Sequence, residues 1–150
     1  MFGDVIMLLK FTQLIVLTLT LFLSSAYAMQ IAITLDDLPE NGLLTTGITR
    51  VQVADKIMNT LQKHHIQGVY GFVNGKPLIS DPEKFTILKN WIASGQLLAN
   101  HGYSHLDLAK TSVDEYLLDL EKNEPILSTF MGEQNFHFYR YPYLSEGDIK

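Results

Sequence analysis

The sequence reads as an α/β domain built on a parallel sheet. From residue 30 onward, short β-branched and aromatic runs alternate with amphipathic stretches of helical period, in the order βαβαβαβ. Each apolar run is closed by polar or glycine-rich residues, and three of the closures carry chemistry: Asp36-Asp37, His101 with His105, and Arg140. Parallel α/β sheets collect functional residues at the carboxyl ends of their strands, so the placement of these groups supports both the fold class and a single site.

The first 28 residues are set apart from this pattern. Phe11 to Leu23 is almost unbroken apolar sequence behind Lys10, and Ala26-Tyr27-Ala28 supplies small residues at the −3 and −1 positions. This is the pattern of a secretory signal peptide over residues 1–28, cleaved between Ala28 and Met29. Met7 is an alternative start with a cleaner basic flank, and an uncleaved anchor is the alternative outcome. The apolar run is short for a membrane span, so no stable span is expected after cleavage. The chain is thus expected to be exported, periplasmic or secreted, leaving one modest domain over residues 29–150.

Asp4 and Lys10 cancel, so that domain keeps the whole net charge of −5. It has no basic run, which argues against a nucleic-acid partner. Cysteine is absent, so stability must come from packing, with help from any bound metal, and not from disulfides.

Gln30–Leu35 is expected as a buried first strand, followed by a loop at Pro39, Asn41 and Gly42. Residues 49 to 65 carry Val51, Ala54, Ile57, Met58 and Leu61 at helical spacing. Gly68–Val73 is a second strand, closed by Asn74-Gly75-Lys76-Pro77. Asp81 caps the next helix with Pro82 at its first position, where the missing N–H is harmless. Phe85, Leu88, Trp91 and Ile92 form its apolar face, and Gly95 follows its end. Leu97–Asn100 is a third strand. Ser112 and Glu115 fit a capping box for a helix carrying Val113, Tyr116, Leu117 and Leu120, which Pro125 is expected to kink or split. Phe136–Arg140 is a fourth strand. Few residues follow it and no helix does, so four strands leave an open edge and suggest the amino-terminal part of a larger domain. No feature reports the oligomeric state.

Adjacent aspartates on an extended strand point to opposite faces, but at a strand end both can reach one cavity. A cation would relieve their repulsion for one and leave the other as a base; a loop opening with one aspartate capping a turn is the structural alternative. His101 and His105 offer two neutral nitrogens at a spacing of four, a clamp for a divalent metal with room for water. The alternative is one capping and one packed histidine. Arg140 can fix a carboxylate through paired hydrogen bonds, or be an ordinary strand-end arginine. His64-His65, beside Lys63 at a helix end, reads as solvated surface, and His137, between Phe136 and Phe138, as a structural neighbour.

Thr34-Leu35-Asp36-Asp37, His101-Gly102-Tyr103-Ser104-His105 and Arg140-Tyr141-Pro142-Tyr143 resemble, in order and spacing, the first three motifs of the polysaccharide deacetylases, the NodB-homology enzymes of carbohydrate esterase family 4. The resemblance covers essentially the whole of residues 29–150. It implies a distorted (β/α) barrel, incomplete in this chain, and a divalent metal, usually zinc, with cobalt or manganese also compatible. By the same resemblance Asp37, His101 and His105 bind the metal, Asp36 is the general base, Arg140 orients Asp36, and the Tyr143 backbone N–H lines an oxyanion hole. The implied reaction is hydrolysis of the N-acetyl amide of an amino-sugar polysaccharide: peptidoglycan, a chitin-like polymer or an exopolysaccharide. Leu35 stands where the family usually has an aromatic residue, and Leu144 where glycine is common. The family's fourth and fifth motifs, with the histidine that acts as general acid, fall beyond residue 150. A non-catalytic remnant that binds metal or glycan without turnover is therefore the competing expectation. An unrelated metallohydrolase such as a phosphoesterase is disfavoured, because such sites carry more ligands.

Overall fold

The computed structural model describes residues 30–147, together with Lys10 and Gln13. The expected signal peptide lies, apart from those two positions, outside the described residues. The elements are β1 (Thr34–Leu38), α1 (Arg50–Lys63), β2 (Tyr70–Val73), a 3-10 turn (Lys76–Ser80), α2 (Pro82–Ala93), β3 (Leu97–Asn100), α3 (Val113–Met131) and a second 3-10 turn (Pro142–Leu144). The strands form a parallel sheet in the order β1-β2-β3. Helices α1 and α2 pack on each other and α3 lies along β3.

The core follows from the apolar periods. Val73, Leu98 and Leu88 are sealed completely, with Trp91, Ile87 and Leu127 beside them. Trp91 also finds its polar partner, donating from Nε1 to the Leu97 carbonyl at 2.8 Å, so its large ring is buried without an orphaned N–H. Capping agrees with the sequence on α2, while the cap of α1 went unread there. The Thr49 hydroxyl and Gln52 side chain close a reciprocal box on α1, Asp81 accepts from the Glu83 N–H, and Gly95 takes a φ of +83° just past α2. On α3 only half of the expected box forms, Ser112 Oγ accepting from Glu115 N.

Four expectations are corrected. The first strand runs from Thr34 to Leu38, later than Gln30–Leu35, because its ladder begins only where β2 offers Tyr70. The fourth strand is reduced to one parallel bridge, Asn100 with Tyr139. Further back β3 is engaged otherwise, its Leu98 N–H meeting Met131 Sδ, while the His137 N–H turns to Asn135 Oδ1. Pro125 does not split α3, which runs unbroken to Met131. The proline is on the exposed side, and the hydrogen bond it gives up belongs to exposed Glu121, whose carbonyl water can satisfy. Finally, α3 buries Tyr116, Asn123, Leu127 and Met131 and leaves Val113 and Leu117 exposed, while on α2 Ile87 takes the core place expected for Phe85.

The second residue after β2 is tightly enclosed. A Cβ on Gly75 would lie 2.4 Å from Asn123 Oδ1, 2.6 Å from Ile126 Cδ1 and 2.9 Å from Tyr103 Cδ2. Gly75→Ala is therefore expected to destabilise the fold by about 1–3 kcal/mol, as overpacking does. Urea denaturation followed by circular dichroism measures it, and an unchanged midpoint would contradict the packing described.

Candidate functional site

A bulge in β1 resolves the problem of adjacent aspartates. Leu35 pairs with Gly71 and Leu38 with Val73, so Asp36 and Asp37 together oppose the single residue Phe72. Asp37 takes φ of +61°, which turns its side chain away from that of Asp36. The two carboxylates then meet different partners.

Asp37 Oδ1 lies 3.1 Å from His105 Nε2 and 3.4 Å from His101 Nε2. Its other oxygen accepts from Asn41 Nδ2 at 2.8 Å. One ligand atom from each of Asp37, His101 and His105 falls within 4.8 Å of the others. His101 is sunk in the interior, with its Nδ1 2.8 Å from the Arg140 carbonyl. That carbonyl can only accept, so Nδ1 carries the proton and Nε2 presents a lone pair. Burial pushes the His101 pKa below its usual 6.5, outweighing the hydrogen bond to Arg140 and the neighbouring carboxylates, and so favours the neutral ring that a metal requires. One carboxylate oxygen and two aligned imidazole nitrogens are a donor set that fits zinc or a similar divalent ion.

Asp36 faces Arg140 instead. Arg140 Nη1 donates to Asp36 Oδ1 at 2.6 Å and to Thr34 Oγ1 at 2.8 Å, and its guanidinium sits 4.2 Å over the Phe72 ring. The backbone on either side of Tyr139 bonds to Asn100, through Asn100 N to Phe138 O and Arg140 N to Asn100 O. This pair of bonds is what remains of the fourth strand, and it places Arg140 beside β1. Tyr143, exposed and at φ of +58°, sets its ring 4.5 Å from that of His105. A cavity of about 330 Å³ is lined by Asp36, Asp37, Asn41, His101, His105, Tyr141, Tyr143 and Leu144. All six residues singled out from the sequence are thus brought together, while His137 lies apart from the cavity lining, its Nδ1 3.1 Å from Glu124.

Supporting residues went unread in the sequence. Buried Asn74 donates to the carbonyls of His101 and Gly102, and buried Asn123 donates to Val73 O and Asn100 Oδ1. Asn100 Oδ1 also accepts from the Gly102 N–H, and Asp119 accepts from the Ser104 N–H. The available signal was an asparagine closing each of two apolar strands and another on the apolar stripe of a helix.

The sequence signature of the family described as polysaccharide deacetylase matches residues 26–149. A peptidoglycan-N-acetylglucosamine deacetylase of Bacillus cereus (strain ATCC 14579) is 32% identical over 115 residues, which are 76% of this chain and 36% of that protein. Among solved structures, the Bc1960 peptidoglycan N-acetylglucosamine deacetylase is 30% identical with a TM-score of 0.59, over 77% of this chain and 47% of that one. A carbohydrate esterase family 4 pseudoenzyme from Bacillus anthracis, 19% identical, shares the fold with a TM-score of 0.58 over 76% of this chain and 35% of that one. The chain therefore spans between 35% and 47% of the length of these three relatives.

Because the folded-state pKa of His101 lies below 6.5, the unfolded chain binds more protons than the folded one between those two values. Stability contributed by the neutral ring is present above pH 6.5 and is lost as pH falls through that window. Metal-free wild type is expected to lose more thermal stability than His101→Gln on acidification across it; equal losses would contradict the burial argument.

Proposed function

The chain belongs to the polysaccharide deacetylase family, and from that membership we propose that it carries the metal-binding and base residues of a hydrolase that removes N-acetyl groups from an amino-sugar polysaccharide. The observation behind this reading is the division of labour between two neighbouring carboxylates, Asp37 converging with His101 and His105 and Asp36 held apart by Arg140. Asp37, His101 and His105 would hold a divalent cation, zinc before cobalt or manganese, which supplies Lewis-acid activation of water and of the amide carbonyl.

The remaining steps fall to the chain's own groups. Arg140 grips Asp36 through Oδ1, so Oδ2 is the atom that takes the proton of the attacking water. The Tyr143 backbone N–H donates to the developing oxyanion. The amide C–N bond then breaks, the sugar amine takes up a proton and acetate leaves. Peptidoglycan, a chitin-like polymer or an exopolysaccharide would each present the required acetamido group. An exported location, periplasmic or secreted, is supported by the apolar run Phe11–Leu23 ahead of Ala26-Tyr27-Ala28, and no described helix is long and apolar enough to cross a membrane.

A non-catalytic reading, with metal or glycan bound but not turned over, draws on the composition of the cavity. Among the described residues its lining offers no third histidine to protonate the leaving amine.

Two measurements on the whole chain separate these readings. Dialysed protein is expected to retain one zinc per chain, lost in His101→Ala and in His105→Ala, and wild type that holds no metal would overturn the site. Acetate release from N-acetylglucosamine oligomers is expected to fall about 10²–10⁴-fold in Asp36→Asn, the usual cost of losing an acid–base group. Zinc retention without any acetate release would select the non-catalytic reading.

A further inference from the structure

We propose that Asp119 is a positioning residue for His105, acting through the backbone of the loop that joins the two histidines. The inference rests on the metal reading of the site given above, and it concerns a residue far outside the three motifs.

The two imidazoles are held differently. His101 is fully enclosed and its Nδ1 is fixed by the Arg140 carbonyl. His105 is partly exposed, and among the described residues its Nδ1 has no hydrogen-bond partner. Only its Nε2 meets a polar group, Asp37 Oδ1. A histidine ligand without an outer partner on its second nitrogen depends on its backbone for direction, and that backbone is in the left-handed region, at φ of +59°.

Asp119 supplies what the ring lacks. Both of its carboxylate oxygens accept from the Ser104 N–H, at 2.9 and 3.1 Å, and its own carbonyl accepts from the Tyr103 N–H at 3.2 Å. A charged acceptor shared by one amide is a strong anchor, and it fixes the Tyr103–Ser104 peptide, one residue ahead of His105. Gly102 makes room for it. At φ of +74°, a Cβ there would stand 3.1 Å from Asp119 Oδ2, so a side chain would press on the carboxylate that holds the loop. Asp119 is itself steadied by α3, between buried Tyr116 and buried Asn123. Asn123 reaches the same loop indirectly, through Asn100 Oδ1 and the Gly102 N–H. The helix thus grips the His101–His105 segment at Gly102, Tyr103 and Ser104, and leaves His105 to project from the last fixed peptide.

The test compares three variants of the whole chain for zinc affinity, by competition with a chelating dye, and for thermal stability without metal. Asp119→Ala is expected to weaken zinc about 10–100-fold, the range for losing an outer-shell partner. Asp119→Asn, which keeps one acceptor for Ser104, is expected to lie between it and wild type. Leu127→Ala, at a fully buried position of the same helix, is expected to lower stability while leaving zinc affinity unchanged in the folded protein, which separates positioning from general support of α3. Amide exchange in the metal-free protein reads the clamp without any metal. Ser104 protection is expected to drop in Asp119→Ala, and also in part in Asp119→Asn should the alanine variant not fold. Unchanged zinc affinity in both Asp119 variants, or unchanged Ser104 protection, overturns the proposal while the metal reading stands. Wild type that binds no zinc overturns the metal reading, and with it the role assigned to Asp119.

Discussion

Strands that stop leave backbone groups that no neighbour completes, and the rest of the site depends on how this sheet meets that demand. Where β2 and β3 end, the answer is three buried asparagines. Asn74 supplies donors to the carbonyls of His101 and Gly102, Asn123 supplies one to Val73, and Asn100 accepts from both Gly102 and Asn123. A carboxamide is suited to this place because it donates and accepts without carrying a charge into the interior. At the opposite end, Gln96 does the same work, accepting from Val69 N and donating to Ile66 O. The histidine loop therefore starts from backbone that side chains hold at His101 and Gly102.

On that base, the chemistry is a matter of separating charges. Asp36 and Asp37 are consecutive, yet the bulge sends one toward a guanidinium and the other toward two imidazoles. Arg140 reaches Asp36 from more than one hundred residues downstream because two hydrogen bonds to Asn100 tie its segment to the edge of β3. A single asparagine thus anchors both the loop bearing the histidines and the segment bearing the arginine.

Much of this was legible in the sequence. The run Leu97–Asn100 stands between Gly95 and His101, and both its length and its ends were readable from composition alone. Asp81-Pro82 announced α2 for the same kind of local reason. What failed were features decided by distant partners. Ile31 and Ile33 look like strand residues but are exposed, because pairing begins only opposite Tyr70. The alternation Phe136-His137-Phe138 has the period of a strand without its ladder, since a strand needs free groups on its neighbour as well as a suitable pattern. On α3, Val113 and Leu117 fit a helical stripe, but Asn123 belongs to the buried face, and a polar residue there is visible only once the carbonyl of Val73 is known to need it. The residues of the three motifs converge in the structure; the groups that support them were missed because hydrogen bonds to backbone leave almost no trace in residue type.

Asp37, His105 and Tyr143 share one backbone property: each is a non-glycine residue with φ between +58° and +61°. For side chains with a Cβ this region costs on the order of 1–2 kcal/mol per residue, and Tyr143 carries its neighbour Leu144 there with it, at +53°. Glycine would relax each of the first three positions and would remove the side chains that face the cavity, although position 143 would keep its backbone N–H. Selection for thermal robustness alone would therefore push these positions toward glycine or asparagine, against any pressure to keep the site. Lineages freed from that pressure would be expected to lose their cavity-facing side chains at these left-handed positions first, while the asparagine framework beneath them remained.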